Sequence, residues 1–182
     1  MEFELGFGTC TQQLRVPDEN LKCVLLPNAA LQGLCGEAEV LRALENPIGT
    51  PRIGQIVHPG ETIAIVTSDI TRPLPSHRIL PLLLDELTSA GIQKQDITVV
   101  FGLGSHRKQT TLEQKKLVGE AIYSQIKCID GDASDCVHYG VTSRETPVDI
   151  VRMVAEADRR ICIGNIEYHY FAGYSGGAKA IM

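Results

Sequence analysis

The sequence predicts a three-layer α/β domain built on a mainly parallel sheet. Three short runs, ETIAIVTSD from Glu61, DITVVFG from Asp96 and RRICIGN from Arg159, are apolar without polar alternation, as strands buried on both faces are. A loop rich in Gly, Ser, Pro or His follows each run, and stretches of helical periodicity lie between them. Strand, loop and helix thus recur three times in one order, the signature of parallel strands joined by right-handed crossovers and covered by helices. With 182 residues, 43% of them hydrophobic and 21% charged, the chain is long enough to bury one such core and is not composed like a disordered segment. Residues 1–182 are therefore read as a single α/β domain.

Residues 1–30 read as a β-rich entry. The alternation in FELGFG is short, whereas LKCVLLP from Leu21 predicts a buried strand bounded by Pro27 and Asn28. A helix is expected from Glu37 to Leu44, with Val40, Leu41 and Leu44 on one face and Asn46-Pro47 ending it. PIGTPRIGQIVHPG is turn-rich and is expected to wrap the surface. A strand over Thr62–Thr67 runs into the loop SDITRPLPS, and a helix carries Ile79, Leu82, Leu83, Leu84 and Leu87 towards Gly91. Pro81 implies that this helix starts late or is kinked, because proline has no N–H for the helical ladder. After DITVVFG comes the loop LGSHRKQT, and Thr110 with Glu113 has the spacing of a capping box for a helix to about Val118. The pattern weakens from Ile122 to Thr146, where IKCID fits a short edge strand; VDIVRMVAEAD looks helical in its second half, and RRICIGN gives the third buried strand.

A net charge of −5 and a pI near 5.5 leave no electrostatic footprint for nucleic acid or an anionic membrane. No apolar run reaches the roughly eighteen residues of a membrane span, and MEFELGFG lacks the basic and apolar regions of a signal peptide; the expected setting is cytoplasmic. Six cysteines without a C-x-x-C pair are expected to be buried, reduced thiols. The sequence stops at AKAIM, one turn into an expected helix with no cap, which suggests a piece of a longer protein.

In a parallel sheet of this kind the ligand crevice lies beyond the carboxyl ends of the strands. Three loops leave those ends, carrying Asp69 and Arg72, then His106 and Arg107, then His169 and Lys179. Taken singly, each has a plain structural reading as a turn residue, a surface charge or a bystander histidine. Their convergence on one edge points to a site. Arg72 offers a bidentate fork for phosphate or carboxylate, on a loop stiffened by Pro73 and Pro75, and Asp69 could orient it or accept from a sugar hydroxyl. His106 and His169 suit proton transfer near neutrality, with an unperturbed pKa of about 6.5. The last loop, IEYHYFAGYSGGAK, has glycines that permit close backbone approach, and Ser175 or Gly176 could open a helix favouring an anion. Lys179 would lie in that first turn, against the helix dipole, where it could bind an anion or act as a nucleophile. This is no Walker loop, since Lys179 stands between Ala178 and Ala180; GLG at 102–104 is half a dinucleotide fingerprint, with Arg107 where the third glycine belongs.

SDITRPLPSH, GLGSHR and IEYHYFAGYSGGAK, together with ENPIG at 45–49 and AEAD at 155–158, resemble the signature segments of the N-terminal domain of nickel-dependent lactate racemase and its relatives, enzymes of the nickel-pincer nucleotide. The resemblance extends over nearly the whole chain, in the same order and separation, and implies a Rossmann-like domain. It further implies a cofactor, a pyridinium mononucleotide carrying nickel, tethered through Lys179; proton-shuttling histidines at His106 and His169; and cofactor or substrate contacts at Asp69 and Arg72. The implied chemistry moves a hydride from the substrate's α-carbon while one histidine takes the hydroxyl proton, and returns it to the other face with the opposite histidine as acid. Relatives often have Pro before the second histidine and a basic residue before the lysine, where this chain has Tyr168 and Ala178. The family's nickel-binding histidine and further substrate contacts fall downstream of Met182, so the metal shell here is incomplete and the C-terminal lobe is missing from this chain. The expectation is thus the cofactor-tethering, acid/base lobe of a racemase or epimerase of a small 2-hydroxy acid, inactive alone, with a cleft-facing surface open to self-association. The alternative is a non-catalytic phosphate- or nucleotide-binding α/β domain that keeps Arg72 and the glycine loop.

Overall fold

Met1–Gly33 and Leu34–Met182 are separate compact units in the computed structural model, which describes residues 1–26, 28, 33–169, 173–176 and 181. In the first unit, β1 (Glu2–Phe7) and β2 (Cys10–Arg15) pair antiparallel, from Glu2 opposite Arg15 to Phe7 opposite Cys10. Gly8 opens the two-residue turn at φ +60, a backbone that glycine adopts without strain. The strand expected from Leu21 does not form: residues 21–26 have no regular structure, and Leu25 and Leu26 are 89% and 80% exposed. Apolar composition makes a strand only where a neighbouring strand takes its backbone hydrogen bonds, and no described strand pairs with this one. Its expected stop at Pro27 lies outside the described residues.

The second unit begins with α1 (Glu37–Glu45), close to its expected bounds, with Val40 and Leu44 half-buried and Leu41 exposed. The turn-rich stretch after it contains a single helical turn, α2 (Ile53–Ile56). It is held by Glu86, which accepts from the Gly54 amide at 3.1 Å and faces the Arg52 guanidinium.

Four parallel strands then form the sheet, in the order β5–β4–β3–β8, from β3 (Ile63–Ser68), β4 (Ile97–Gly102), β5 (Lys127–Asp130) and β8 (Arg159–Cys162). β3 and β4 are in register from Ile63 opposite Ile97 to Ser68 opposite Gly102. Their period-two alternation divides the core. Ile63, Ile65, Ile97, Val99 and Phe101 pack with Leu80, Leu83 and Leu87 of α3 (Ser76–Ser89) and with Leu117 and Val118 of α4 (Thr111–Val118). Ala64, Val66 and Val100 pack on the other face with Val154 of α6 (Arg152–Ala155) and Ala157. The three-layer, Rossmann-like α/β architecture with a parallel sheet is thus present, and it belongs to Leu34–Met182.

Several local expectations change. α3 does not start late, since it begins at Ser76 with Pro81 inside it; Leu80, Leu83 and Leu87, each 2% exposed or less, anchor the turns around the missing bond. α4 has the expected cap: Thr110 Oγ1 accepts from the Glu113 amide at 3.3 Å while Glu113 Oε2 accepts from the Thr110 amide at 2.8 Å. A further turn, α5 (Glu120–Tyr123), precedes β5. The patternless stretch after β5 forms a hairpin of β6 (Cys136–Val141) and β7 (Pro147–Val151), with a register shift between His138 and Gly140. β8 is not a fully buried strand. It pairs only with β3 among the described strands, so Arg160 and Cys162 are exposed. All six cysteines are free, as expected, but Cys10, Cys23, Cys35 and Cys162 are exposed rather than buried; partial burial pushes the Cys128 thiol up to about 11. Among the described residues no helix is long and apolar enough to cross a membrane.

Candidate active site

A cleft of about 270 Å³ opens at the carboxyl ends of β3, β4 and β8. Ser68, Asp69 and Arg72 enter it after β3, the run 102–106 after β4, and Gly164, Asn165, Ser175 and Gly176 after β8.

After β3 the chain makes a tight turn on Asp69. Its Oδ1 accepts from the Thr71 amide at 3.1 Å and from Thr71 Oγ1 at 2.7 Å, the local side-chain turn that aspartate favours. Asp69 Oδ2 lies 2.6 Å from His106 Nδ1. The Asp69 side chain is 3% exposed against 45% for His106, so the carboxylate is the wall and the imidazole the face. An ionised carboxylate only accepts; His106 Nδ1 therefore carries the hydrogen and Nε2 is left as the proton acceptor. His106 is delivered by a turn in which its amide donates to the Leu103 carbonyl at 3.0 Å, with Gly104 at φ +56.

Arg72 lines the same cleft and donates from Nη1 to Glu167 Oε1 at 3.0 Å, the two side chains 38% and 37% exposed. At that exposure the pair is weakly held, and the guanidinium is open to exchange Glu167 for an anion. Arg107 points elsewhere: it grips Glu113 through both oxygens at 2.7 and 2.9 Å, and its guanidinium, with the Thr110 cap, holds the Glu113 carboxyl down at about 2.

The segment after β8 is shaped by short-range contacts. β9 (Tyr168–His169) pairs with β10 (Gly173–Tyr174), placing His169 opposite Gly173. The Ser175 amide donates to the Glu167 carbonyl at 2.9 Å. Gly176, at φ +92, passes so close to Asn165 that a Cβ would sit 2.6 Å from its carbonyl oxygen; only glycine fits. His169 is half-buried and is not among the described residues lining the cleft. Lys179, and with it the helix expected to open at Ser175 or Gly176, lies outside the described residues.

The structure thus brings Asp69, Arg72 and His106 together. Thr71 and Glu167 escaped the sequence reading: Thr71 was legible in the Asp-x-Thr spacing, but nothing local marks Glu167 as the partner of an arginine 95 residues away. Among the described residues no group of three or more His, Cys, Asp or Glu could hold a metal ion.

A model of the lactate racemase N-terminal domain matches residues 7–182. The lactate racemases of Thermoanaerobacterium thermosaccharolyticum and Lactiplantibacillus plantarum are 34% and 33% identical over 98% of this chain. The chain spans 43% of the length of these curated relatives. The lactate racemase apoprotein structure from T. thermosaccharolyticum superimposes on the whole chain with a TM-score of 0.79 at 33% identity, using 43% of its own length. A crystal structure of a Thermotoga maritima protein, at 18% identity and a TM-score of 0.62 over 80% of this chain and 37% of its own, shares the fold. On the family match and full-length identity, the chain belongs to the lactate racemase N-terminal domain family.

Proposed function

We propose that this chain is the acid/base and cofactor-tethering lobe of a nickel-pincer-dependent racemase or epimerase of a small 2-hydroxy acid, working with a C-terminal lobe. The observation that carries the proposal is the Asp69–His106 pair at the cleft, with Nε2 left as proton acceptor. The cleft, near the small end of the roughly 300–1,000 Å³ range of ligand sites, suits a mononucleotide. Gly102 and Gly104 line it beside Arg72, whose guanidinium fits a phosphate or carboxylate. Among the described residues the donor set offers no metal cage, so the nickel is assigned to the pincer group and to ligands outside them.

When bound, the cofactor supplies a centre that accepts and returns the substrate's α-hydrogen. Arg72 orients the substrate carboxylate or a cofactor phosphate by giving up Glu167. His106 Nε2 takes the hydroxyl proton, and the buried Asp69 carboxylate stabilises the imidazolium that results; Asp69 is thereby a positioning residue. His169 would serve the opposite face, returning a proton to the substrate's oxygen as the keto carbon takes back its hydrogen on the other side, which is what inverts the centre. Lys179 carries the tether. Six free cysteines fit a reducing, cytoplasmic setting.

The test is intact mass with peptide mapping of the complete protein, made in a host that assembles the pincer cofactor, alongside a chiral assay of lactate. A nucleotide-sized adduct on Lys179 with interconversion of the enantiomers is expected. Racemisation by a protein whose Lys179 is unmodified would overturn the tether assignment, and an adduct without turnover of lactate would move the search to other 2-hydroxy acids.

A further inference from the structure

The chain leaving His106 is tied down at every step. Arg107 grips Glu113, Lys108 reaches Asp132 at 3.2 Å, and Gln109 joins three separate parts of the fold. The Gln109 amide donates to Asp130 Oδ2 at 2.7 Å and its Nε2 donates to Asp130 Oδ1 at 3.0 Å. Its Oε1 accepts from the Ile70 amide at 2.9 Å. Ile70 directly follows Asp69, and Asp130 closes β5, where it also takes Gln114 Nε2 of α4 at 3.0 Å. Tyr123 OH in turn donates to Gln114 Oε1 at 3.2 Å.

This amide has one orientation. Flipping it would set Oε1 against a carboxylate and the NH₂ against a backbone donor, losing both bonds. The side chain therefore spans the gap between the loop of Asp69 and the loop of His106, parallel to the 2.6 Å bond between those residues. Without it, that bond would have to hold the two loops together as well as set the tautomer.

We infer that Gln109, braced by Asp130, is a positioning residue that keeps the Asp69 carboxylate on His106 Nδ1 and so reserves Nε2 for proton transfer. The inference rests on the reading of His106 as acid and base, and its consequence is specific. Loss of the brace lets the loops drift, opens the Nδ1 bond part of the time and admits the tautomer with the hydrogen on Nε2, which cannot accept a proton. Arg72 rides on the same turn as Asp69, its amide on the Asp69 carbonyl at 3.2 Å, so the drift reaches it too, and the mark of the brace is the His106 tautomer together with a fall in kcat.

The test uses the complete protein labelled with ¹⁵N at histidine, reading each imidazole's tautomer by long-range ¹H–¹⁵N correlation, with the chiral lactate assay beside it. In the wild type His106 is expected as the Nδ1–H form. Gln109→Leu is expected to move it to a mixture and to lower kcat by up to about 10²-fold, with a smaller rise in KM. Asp130→Asn, of the same shape but with an NH₂ facing one of its former donors, is expected to do the same more weakly and serves should Gln109→Leu not fold. His138, paired with Asp149 at 2.6 Å in the β6–β7 hairpin, is the internal reference, since a global loss of structure would move it too. If His106 keeps its tautomer and kcat its value in the folded variants, or if His138 shifts alongside His106, the inference is overturned. A parallel His106→Asn variant separates the two readings: undiminished racemisation there would remove His106 from the chemistry while leaving the tautomer result for Gln109 standing.

Discussion

The two loops that follow β3 and β4 and the segment that follows β8 reach the same cleft by different means. The first two are locked to each other across the gap by the Asp69–His106 bond and by Gln109 accepting from the Ile70 amide, while Thr71 closes the turn on Asp69 within the first. The segment after β8 is held mainly to itself, by a two-residue ladder, the Tyr168–Tyr174 ring contact at 5.5 Å and the close passage of Gly176 over Asn165. Among the described residues, the half-exposed Arg72–Glu167 pair bridges it to the other loops. The fold thus presets the His106 imidazole, whereas the exposed Arg72–Glu167 pair is a contact that can be exchanged for what enters the cleft.

Substituting the histidines is the strongest way to break the comparison. In the complete, cofactor-loaded protein, His106→Asn is expected to lower racemisation by about 10²- to 10⁴-fold, the range for a general acid or base. His169→Asn is expected to match it when both enantiomers are assayed. A variant that slows oxidation of only one enantiomer to the keto acid in a single turnover would show which face each histidine serves, and a silent His169→Asn would confine the chemistry to the locked pair.

The scaffold beneath comes next. Phe101, wholly buried one residue before the cleft run 102–106, is expected to cost about 3–5 kcal/mol as Phe101→Ala in chemical denaturation. Tyr168→Ala, at a side chain 71% exposed, is expected to stay within about 0.5 kcal/mol. Equal losses would show that the segment after β8 is as much a part of the core as β4 is. Smaller is Thr110→Ala, which removes the cap behind the His106 loop and is expected to cost about 1 kcal/mol.

The smallest effect is a titration. Glu113 is held at about 2 by Arg107 and the Thr110 cap. Because the folded value lies below the ordinary carboxylate value of about 4.3, the stabilisation is complete above that value and is lost as pH falls towards 2. Carboxyl ¹³C shifts should therefore show Glu113 ionised at pH 3 in the wild type and titrating higher in Arg107→Gln.

How much of this was legible in the sequence varies with how local the cause is. β3, β4 and the Thr110 cap were readable because an unbroken apolar run and a three-residue spacing carry their own reason. The same kind of run at Leu21 misled, since what makes a strand is a neighbour to bond with, and the sequence does not announce where neighbours are. β8 is the milder case: it was found, but its arginines at 159 and 160 follow from a position with one partner rather than two. For the candidate site, strand order alone pointed to the edge where Asp69, Arg72 and His106 meet. The braces Gln109 and Asp130 and the counterion Glu167 were invisible, being ordinary polar residues whose meaning lies entirely in tertiary distance. The place of Lys179 falls outside the described residues.

The order β5–β4–β3–β8 also has a consequence in time. β3 is the first strand of the sheet to be synthesised, yet one of its two edges is closed only by β8, and Thr62 and Asp158, which clasp the start of that pairing, are 96 residues apart. At roughly 5–20 residues per second, a nascent chain carries the bare edge of this buried, apolar strand for about 5–20 s before the partner emerges. An unpaired apolar edge is what makes folding intermediates prone to aggregate, so the interval between the synthesis of Ser68 and of Arg159 is the one in which this chain is most exposed to misassembly.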